Sequence, residues 1–432
     1  MFARHHSMIH SRRVTASLRI NKIRLSNYRC FERLEVPLDE TMTVLHADNG
    51  GGKTALLSGI AVALGTAVFE KSGNIRPSDV RSIIPDETLT AVSSYPCRVE
   101  AEGSFDGTEL SWAREIARPG KRTSNAEAKK VRALIDKRWT EPNGTLPIVG
   151  FYGTQRLWGV VKGTAGKLGQ SHREDAYVDA LDPRSKEKQL LDWLVRAGFA
   201  KLQFKSEPAE FSAVELALRT ALRHPSDEGE FVIEAIDLDV SSVEPVFRTA
   251  SGRRIRWSQL SDGEHVFAGL VADLARRCVT LNPHLGANAV LGTSGVVLID
   301  EVDLHLHPRW QRVVLSRLRT AFPEIQFVVS THSPQVLSSV ENHQVRTLVR
   351  GALSTSAPVH GRDSNSILVE AFRTAPRPDS QISKIASDLE QAVEDDRIAD
   401  AKALLEELRQ EWGDLAPEVI RAERLLRASE AL

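Results

Sequence analysis

Residues 47–54 read Ala-Asp-Asn-Gly-Gly-Gly-Lys-Thr, between the apolar run MTVLHA and the helix-like ALLSGIAVAL. A glycine loop between a strand and a helix cradles phosphate, because backbone N–H groups and the helix N-terminus both turn toward the anion. Asn49, Gly50, Gly51 and Gly52 supply the curled backbone, Lys53 reaches the β- and γ-phosphates, and Thr54 offers a hydroxyl to Mg²⁺. The pattern G-x-x-x-x-G-K-[ST] holds at Gly52, Lys53 and Thr54, while Ala47 stands in place of the first glycine. A second group, GVVLIDE at 295–301, ends an apolar run on two adjacent carboxylates. Asp300 is placed to hold Mg²⁺ and Glu301 to orient and activate a water molecule. A third, Leu260-Ser261-Asp262-Gly263-Glu264, sets a small hydroxyl and a glycine where a helix begins, a second anion-binding arrangement. The plainer alternative is an N-cap formed by Ser261 or Asp262. A fourth, Ser330-Thr331-His332-Ser333-Pro334, follows another apolar run, where His332 is either a phosphate contact or an ordinary loop residue. All four together point to hydrolysis of a nucleoside triphosphate.

The elements that must position these groups are legible in part. Runs 18–25, 31–38 and 42–47 read as strands, and 97–116 reads as a hairpin turning at Asp106-Gly107. LPIVGFYG (146–153), FVIEAIDLDV (231–240) and EPVFRTA (244–250) read as further strands. GVVLID and IQFVVS are uniformly apolar, as strands buried on both faces are. Helices are expected at about 188–204, 212–222, from Asp262, and over 308–321. Apolar strands alternating with helices imply a parallel sheet. From about residue 380 the chain reads as helical, and residues 386–432 carry thirteen Asp/Glu against six Lys/Arg. Leu404, Leu405, Leu408, Leu425 and Leu426 suggest that this tail packs as an αα-hairpin, the alternative being a docking face for a partner.

With 432 residues, 41% hydrophobic and 26% charged, the composition is that of a globular protein. A net charge of −1 gives no global pull toward nucleic acid, so any such contact needs a local patch. One candidate is 118–138, with Arg118, Lys121, Arg122, Lys129, Lys130, Arg132, Lys137 and Arg138 against Glu127 and Asp136. Cys30, Cys97 and Cys278 form neither a zinc spacing nor a disulfide framework, which fits a cytoplasmic chain. No apolar run is long enough for a membrane span, and the basic N-terminus lacks a secretory core, so 1–17 is expected as a flexible extension.

With these motifs assembled, the chain resembles the SMC/RecF/OLD-like branch of the ABC-class ATPases, often labelled AAA-family ATPases. LSDGE resembles the LSGGQ-type signature, IRLSNYRCFERLEV the opening motif of that branch, and Asp-Glu-Val-Asp-Leu-His-Leu-His-Pro (300–308) its Walker B and D-loop segment. FYGTQRLW (151–158) and GRDSNSIL (361–368) are similar to segments of ATPases from bacterial anti-phage operons, including the PtuA group of Septu-type systems. The resemblance implies an α/β ABC/SMC-type ATPase head, a mixed sheet with a P-loop core and an antiparallel β subdomain. A helical insert (159–230) divides its halves (18–158 and 231–350), and a helical tail (351–432) follows. It further implies ATP with Mg²⁺, and a head-to-tail homodimer in which Ser261, Gly263 and Glu264 close on the nucleotide held by the other copy. His332 then contacts the γ-phosphate, Arg29 and Gln155 assist nucleotide binding, and Asp303 is the D-loop aspartate. No nuclease centre is expected in the chain itself. The role implied is a sensor or regulatory subunit working with a separate effector nuclease, HNH-type in a Septu-like system. The alternative is a RecF-like ATPase acting directly on DNA in repair.

Overall fold

A computed structural model describes residues 17–68, 73–85, 90–155, 172–184, 187–204, 208–223, 233–375, 377–395 and 397–430. All but the last residue of the expected N-terminal extension, and Arg156, Leu157 and Trp158 of the FYGTQRLW segment, lie outside these. The chain forms two compact units, Met1–Ile367 and Leu368–Leu432.

The first unit is built on a six-stranded sheet. It comprises β3 (Met42–Ala47), β8 (Ile148–Tyr152), β12 (Gly295–Ile299), β13 (Ile325–Ser330), β14 (Val345–Val349) and β15 (Ala352–Ser354). Their order is β15-β14-β3-β13-β12-β8, with every pairing parallel except β14 with β15. The registers Ile299↔Tyr152, Ile299↔Val329 and Ser330↔Leu45 bring the C-terminal ends of four strands to one edge. That edge is where ligands bind in open parallel sheets. GVVLI and IQFVVS are buried at every position, as uniform apolarity requires. Strands β14 and β15 had no signal in the sequence reading.

The exception in β13 is Gln326, fully buried and fully paired. Its Oε1 accepts the Ile20 N–H at 2.9 Å, and its Nε2 donates to the carbonyls of Ile20 and Asp39, both at 2.8 Å. Ile20 lies in β1 (Leu18–Tyr28), where the register to its neighbour shifts between Ile20 and Lys22. The glutamine thereby stitches the central sheet to a second, antiparallel sheet. This contains β2 (Phe31–Pro37), β1, β6 (Cys97–Phe105) and β7 (Thr108–Ile116), in that order. Cys97–Ile116 is the expected hairpin, turning at Asp106-Gly107, both with positive φ. From β7, Trp112 Nε1 donates to the Ala63 carbonyl at 3.1 Å and Arg114 Nη1 to the Val62 carbonyl at 2.9 Å. Both carbonyls end α1 (Lys53–Leu64), so the second sheet grips the C-terminus of the phosphate-loop helix with a donor and a cation. A two-stranded hairpin, β4 (Ser82–Ile83) with β5 (Val92–Ser93), precedes β6.

A third sheet, β11-β10-β9, is formed by β9 (Ile233–Asp239), β10 (Glu244–Thr249) and β11 (Arg254–Arg256). Around the sheets lie α2 (Lys129–Thr140), α3 (Glu187–Phe204), α4 (Ala209–Ala221), α5 (Asp262–Leu281) and α6 (Ala289–Gly292). The single helix expected over 308–321 is instead two, α7 (Pro308–Gln311) and α8 (Val314–Ala321). They part where β-branched Val313 leaves helical dihedrals, at φ −120 and ψ −10. Helix α9 (Pro334–Ser338) follows, and α10 (Ser364–Glu370) spans the division at Ile367 and Leu368.

The second unit holds α11 (Gln381–Glu394), α12 (Ile398–Trp412) and α13 (Pro417–Glu430). Three helices share its core, rather than the two of the expected hairpin. Ala386, Leu389 and Ala392 of the first join Leu405 and Leu408 of the second and Val419 and Leu426 of the third. Leu404 packs partly buried against them, while Leu425 is exposed. Among the described residues no helix is long and apolar enough to cross a membrane.

Candidate functional site

The phosphate loop leaves β3 at Ala47 and enters α1 at Lys53 through two left-handed glycines, Gly50 (φ 75) and Gly52 (φ 97). The Gly51 N–H closes the turn onto the Asp48 carbonyl at 2.9 Å. A Cβ on Gly51 would stand 2.7 Å from the Ala47 Cβ, so alanine at the first motif position makes glycine obligatory at the fifth. A Cβ on Gly52 would meet the Phe31 ring at 2.5 Å and Cys30 Sγ at 3.1 Å. Of the NYRCF segment it is therefore Phe31 that packs beneath the loop. Arg29, half-buried, instead binds Asp79 through Nε at 2.9 Å.

Lys53 is 7% exposed, and its Nζ donates to the Ala47 carbonyl at 2.8 Å. Burial pushes its ammonium below the ordinary lysine value, partly offset by Asp300, Glu301, Asp48 and Asp303. Thr54 Oγ1 donates to Asp300 Oδ2 at 2.6 Å, across 246 residues of sequence. A threonine hydroxyl beside a carboxylate is a hard-oxygen pair that fits Mg²⁺, which keeps water and phosphate oxygens as its other ligands. Among the described residues no group of three or more His, Cys, Asp or Glu is gathered as a metal cage.

Ser330, at the end of β13, is a hub that the sequence reading passed over. Its hydroxyl donates to Asp300 Oδ1 at 2.5 Å and accepts the Glu301 N–H at 2.8 Å. It thus fixes the Asp300 carboxylate and the Glu301 backbone from the neighbouring strand. Glu301 is left-handed, φ 47, an uncommon conformation for a non-glycine residue that needs surrounding contacts to persist. Its carbonyl accepts the Leu304 N–H at 2.9 Å. Thr331 Oγ1 donates to Asp303 Oδ1 at 2.5 Å, tying the loop after β13 to the segment after β12. His332 follows, half-buried, on the same sheet edge. Gln155 is exposed three residues beyond β8, past the same edge. The signal for Ser330 was present, because the strand IQFVVS ends on a hydroxyl; only its pairing with β12 showed what that hydroxyl meets.

The LSDGE segment opens α5. Ser261 caps α5 in a capping box: its Oγ accepts the Glu264 N–H at 3.4 Å, and Glu264 Oε2 accepts the Ser261 N–H at 2.9 Å. A Cβ on Gly263 would collide with the His305 carbonyl, so only glycine lets this turn lie against the His305–His307 segment. Together they line a cavity of about 760 Å³ with Phe267, Arg309 and Trp310. No phosphate-loop residue is among its described lining.

Behind the signature, α5 carries a buried charged cluster with no counterpart in the sequence reading. Asp273 accepts from Tyr152 OH (2.9 Å), Arg277 Nε (2.8 Å) and Arg276 Nη2 (2.7 Å). Burial alone would raise its carboxyl, but the guanidiniums of Arg277 and Arg276 outweigh that and hold it well below the usual range.

Two family models match this chain. Residues 22–223 match an AAA domain, and residues 217–338 match a second AAA domain whose description also carries the AbiEii toxin of Type IV TA systems. Taken together, the two matched regions make residues 22–338 similar to AAA domains. The chain is also similar to retron probable ATPases and to the Septu protein PtuA. The Retron Vc95 probable ATPase of Vibrio cholerae serotype O1 biovar El Tor is 29% identical over 77% of this chain and 74% of its own. The Retron Ec83 probable ATPase of Escherichia coli is 41% identical over 36% of this chain and 29% of its own length. Septu protein PtuA of Bacillus mycoides (strain KBAB4) is 41% identical over 21% of this chain and 12% of its own. Among solved structures, the SMC head domain from Thermotoga maritima aligns at TM-score 0.42 and 16% identity, covering 79% of this chain and 99% of that one.

Proposed function

We propose that the chain binds ATP with Mg²⁺ and hydrolyses it at a site completed by a second copy, as the sensor or regulatory subunit of an anti-phage defence complex. What carries the reading is the convergence of Lys53, Thr54, Asp300 and Glu301 on one sheet edge while Ser261 and Gly263 face a separate cavity. Asn49 and Gly50 to Gly52 wrap the phosphates, and Lys53 neutralises the β- and γ-phosphates. Thr54 and Asp300 would hold Mg²⁺, which supplies further charge neutralisation when bound. Glu301, set by Ser330, orients the attacking water and takes its proton. His332 steadies the γ-phosphate, and the second copy's Ser261, Gly263 and Glu264 close over it. Arg29 and Gln155 assist at the periphery.

The relatives' names, drawn from retron and Septu systems, support the defence role. The effector nuclease is then a separate polypeptide, HNH-type in a Septu-like arrangement. A second reading, direct action on DNA in the RecF manner, is favoured by one observation. Of the eight basic residues in 118–138, Arg132 and Arg138 are ion-paired, whereas Arg118, Lys121, Arg122, Lys129, Lys130 and Lys137 are exposed.

The test uses two variants. Lys53→Ala loses the thermal stabilisation given by ATP, which at a hundredfold excess over Kd is about 2.7 kcal/mol. Glu301→Gln keeps it, turns over slowly and accumulates dimers. Retained stabilisation in the first, or full turnover in the second, overturns the site. Proteins and nucleic acid recovered with tagged Glu301→Gln from the native host then separate the roles: a stoichiometric nuclease supports the defence reading, DNA with repair proteins the other.

A further inference from the structure

Helix α5 carries the signature at its N-terminus and the buried Asp273 cluster eleven residues along, about 16 Å away at the rise of an α-helix. Every residue from His265 to Leu281 is buried, so the helix moves as a rigid piece or not at all. The cluster ties it to one strand. Tyr152, the last residue of β8, donates its phenol to Asp273, and its carbonyl accepts the Asp300 N–H at 2.8 Å. Asp300 in turn accepts from Thr54. An unbroken route therefore runs from Thr54 through Asp300, Tyr152 and Asp273 to the helix bearing Ser261 and Gly263.

Stability alone is a poor reason for such a cluster. Burying one carboxylate and two guanidiniums carries a desolvation cost, and well-packed apolar side chains often serve as well or better. A directional, fully paired network does instead fix one geometry. Arg277 extends it, donating to the carbonyls of Ala176 at 2.7 Å and Val178 at 3.3 Å.

We propose that Tyr152 and Asp273 are positioning residues that transmit occupancy of a chain's own nucleotide site to its signature segment, and so to the nucleotide held by the second copy. This rests on the composite site proposed above. Its consequence is that the two sites of a dimer are coupled, and that coupling is lost before nucleotide binding is.

Tyr152→Phe is the experiment, since it removes one hydroxyl and leaves Asp273 with both arginines. ATP-dependent thermal stabilisation is expected unchanged, while turnover at saturating ATP falls about five- to tenfold and the Hill coefficient for ATP drops toward one. Wild-type turnover and Hill coefficient, with or without a lower melting temperature, would mean the cluster is structural only and overturn the proposal. Should Tyr152→Phe fold poorly, Arg276→Lys, which keeps a cation on Asp273, is expected to shift the Hill coefficient the same way; no shift overturns it. Failure of the composite site shows in the unmutated protein, as turnover per chain independent of protein concentration, and overturns both readings.

Discussion

Replacing Ser330 with alanine removes a single oxygen that holds both the Asp300 carboxylate and the Glu301 backbone. That hydroxyl donates to Asp300 at 2.5 Å and accepts the Glu301 N–H at 2.8 Å, and the residue is fully buried. A hydrogen bond to an ionised group is worth about 1.5–3 kcal/mol. If that interaction is held into the transition state, turnover falls by about one to two powers of ten, since each 1.36 kcal/mol is tenfold. The loss at Glu301 adds to this, because its left-handed backbone relaxes once its N–H is released. Lys53 and the glycine loop are untouched, so ATP affinity is expected to stay within a few-fold. Steady-state phosphate release gives kcat, and an ATP-dependent melting shift reports binding in the same preparation. Unchanged kcat in a folded variant refutes the idea that Ser330 sets the Asp300 carboxylate and the Glu301 backbone for the reaction. A lost ATP shift refutes it differently, by showing that the substitution acts on the loop rather than on the chemistry.

Two further outcomes follow from the same geometry. Burial lowers the Lys53 ammonium in the folded chain, so folding there favours the neutral amine; the resulting penalty is present at low pH and vanishes as pH rises to the unfolded value of 10.5. Phosphates reverse the shift, so ATP binding just below pH 10.5 is expected to take up protons, read by calorimetry in buffers of different ionisation enthalpy; proton release would contradict it. Gln326→Ala strips the Ile20 N–H and the Ile20 and Asp39 carbonyls of their buried partner. A loss of at least about 2 kcal/mol is expected in denaturant unfolding, with faster amide exchange at Ile20, and a change under about 0.5 kcal/mol would show that the two sheets do not depend on this link.

What the amino-acid sequence determined by itself is whatever local backbone chemistry enforces. Gly50, Gly52, Lys53 and Thr54 announce their turn and helix because left-handed backbone selects glycine wherever the chain goes next. Asp300 and Glu301 are legible because a uniformly apolar strand must stop before charge. The hairpin at Asp106-Gly107 and the N-cap at Ser261 are local in the same sense. The tertiary structure alone decided which ends meet. Placing β13 between β3 and β12 is a non-local pairing, and it turns Ser330 from a strand terminus into the link between the Asp300 carboxylate and the Glu301 backbone. Gly263 is legible as part of a helix start, but that the His305 carbonyl lies against it is decided by packing. Tyr152, Asp273, Arg276 and Arg277 carry no local mark of a site, and only the packing of α5 against β8 gathers them into one buried cluster. The physical reason is common to all of these: a residue's own backbone preference is written in its type, whereas its partner across hundreds of residues is chosen by how the sheets and helices pack.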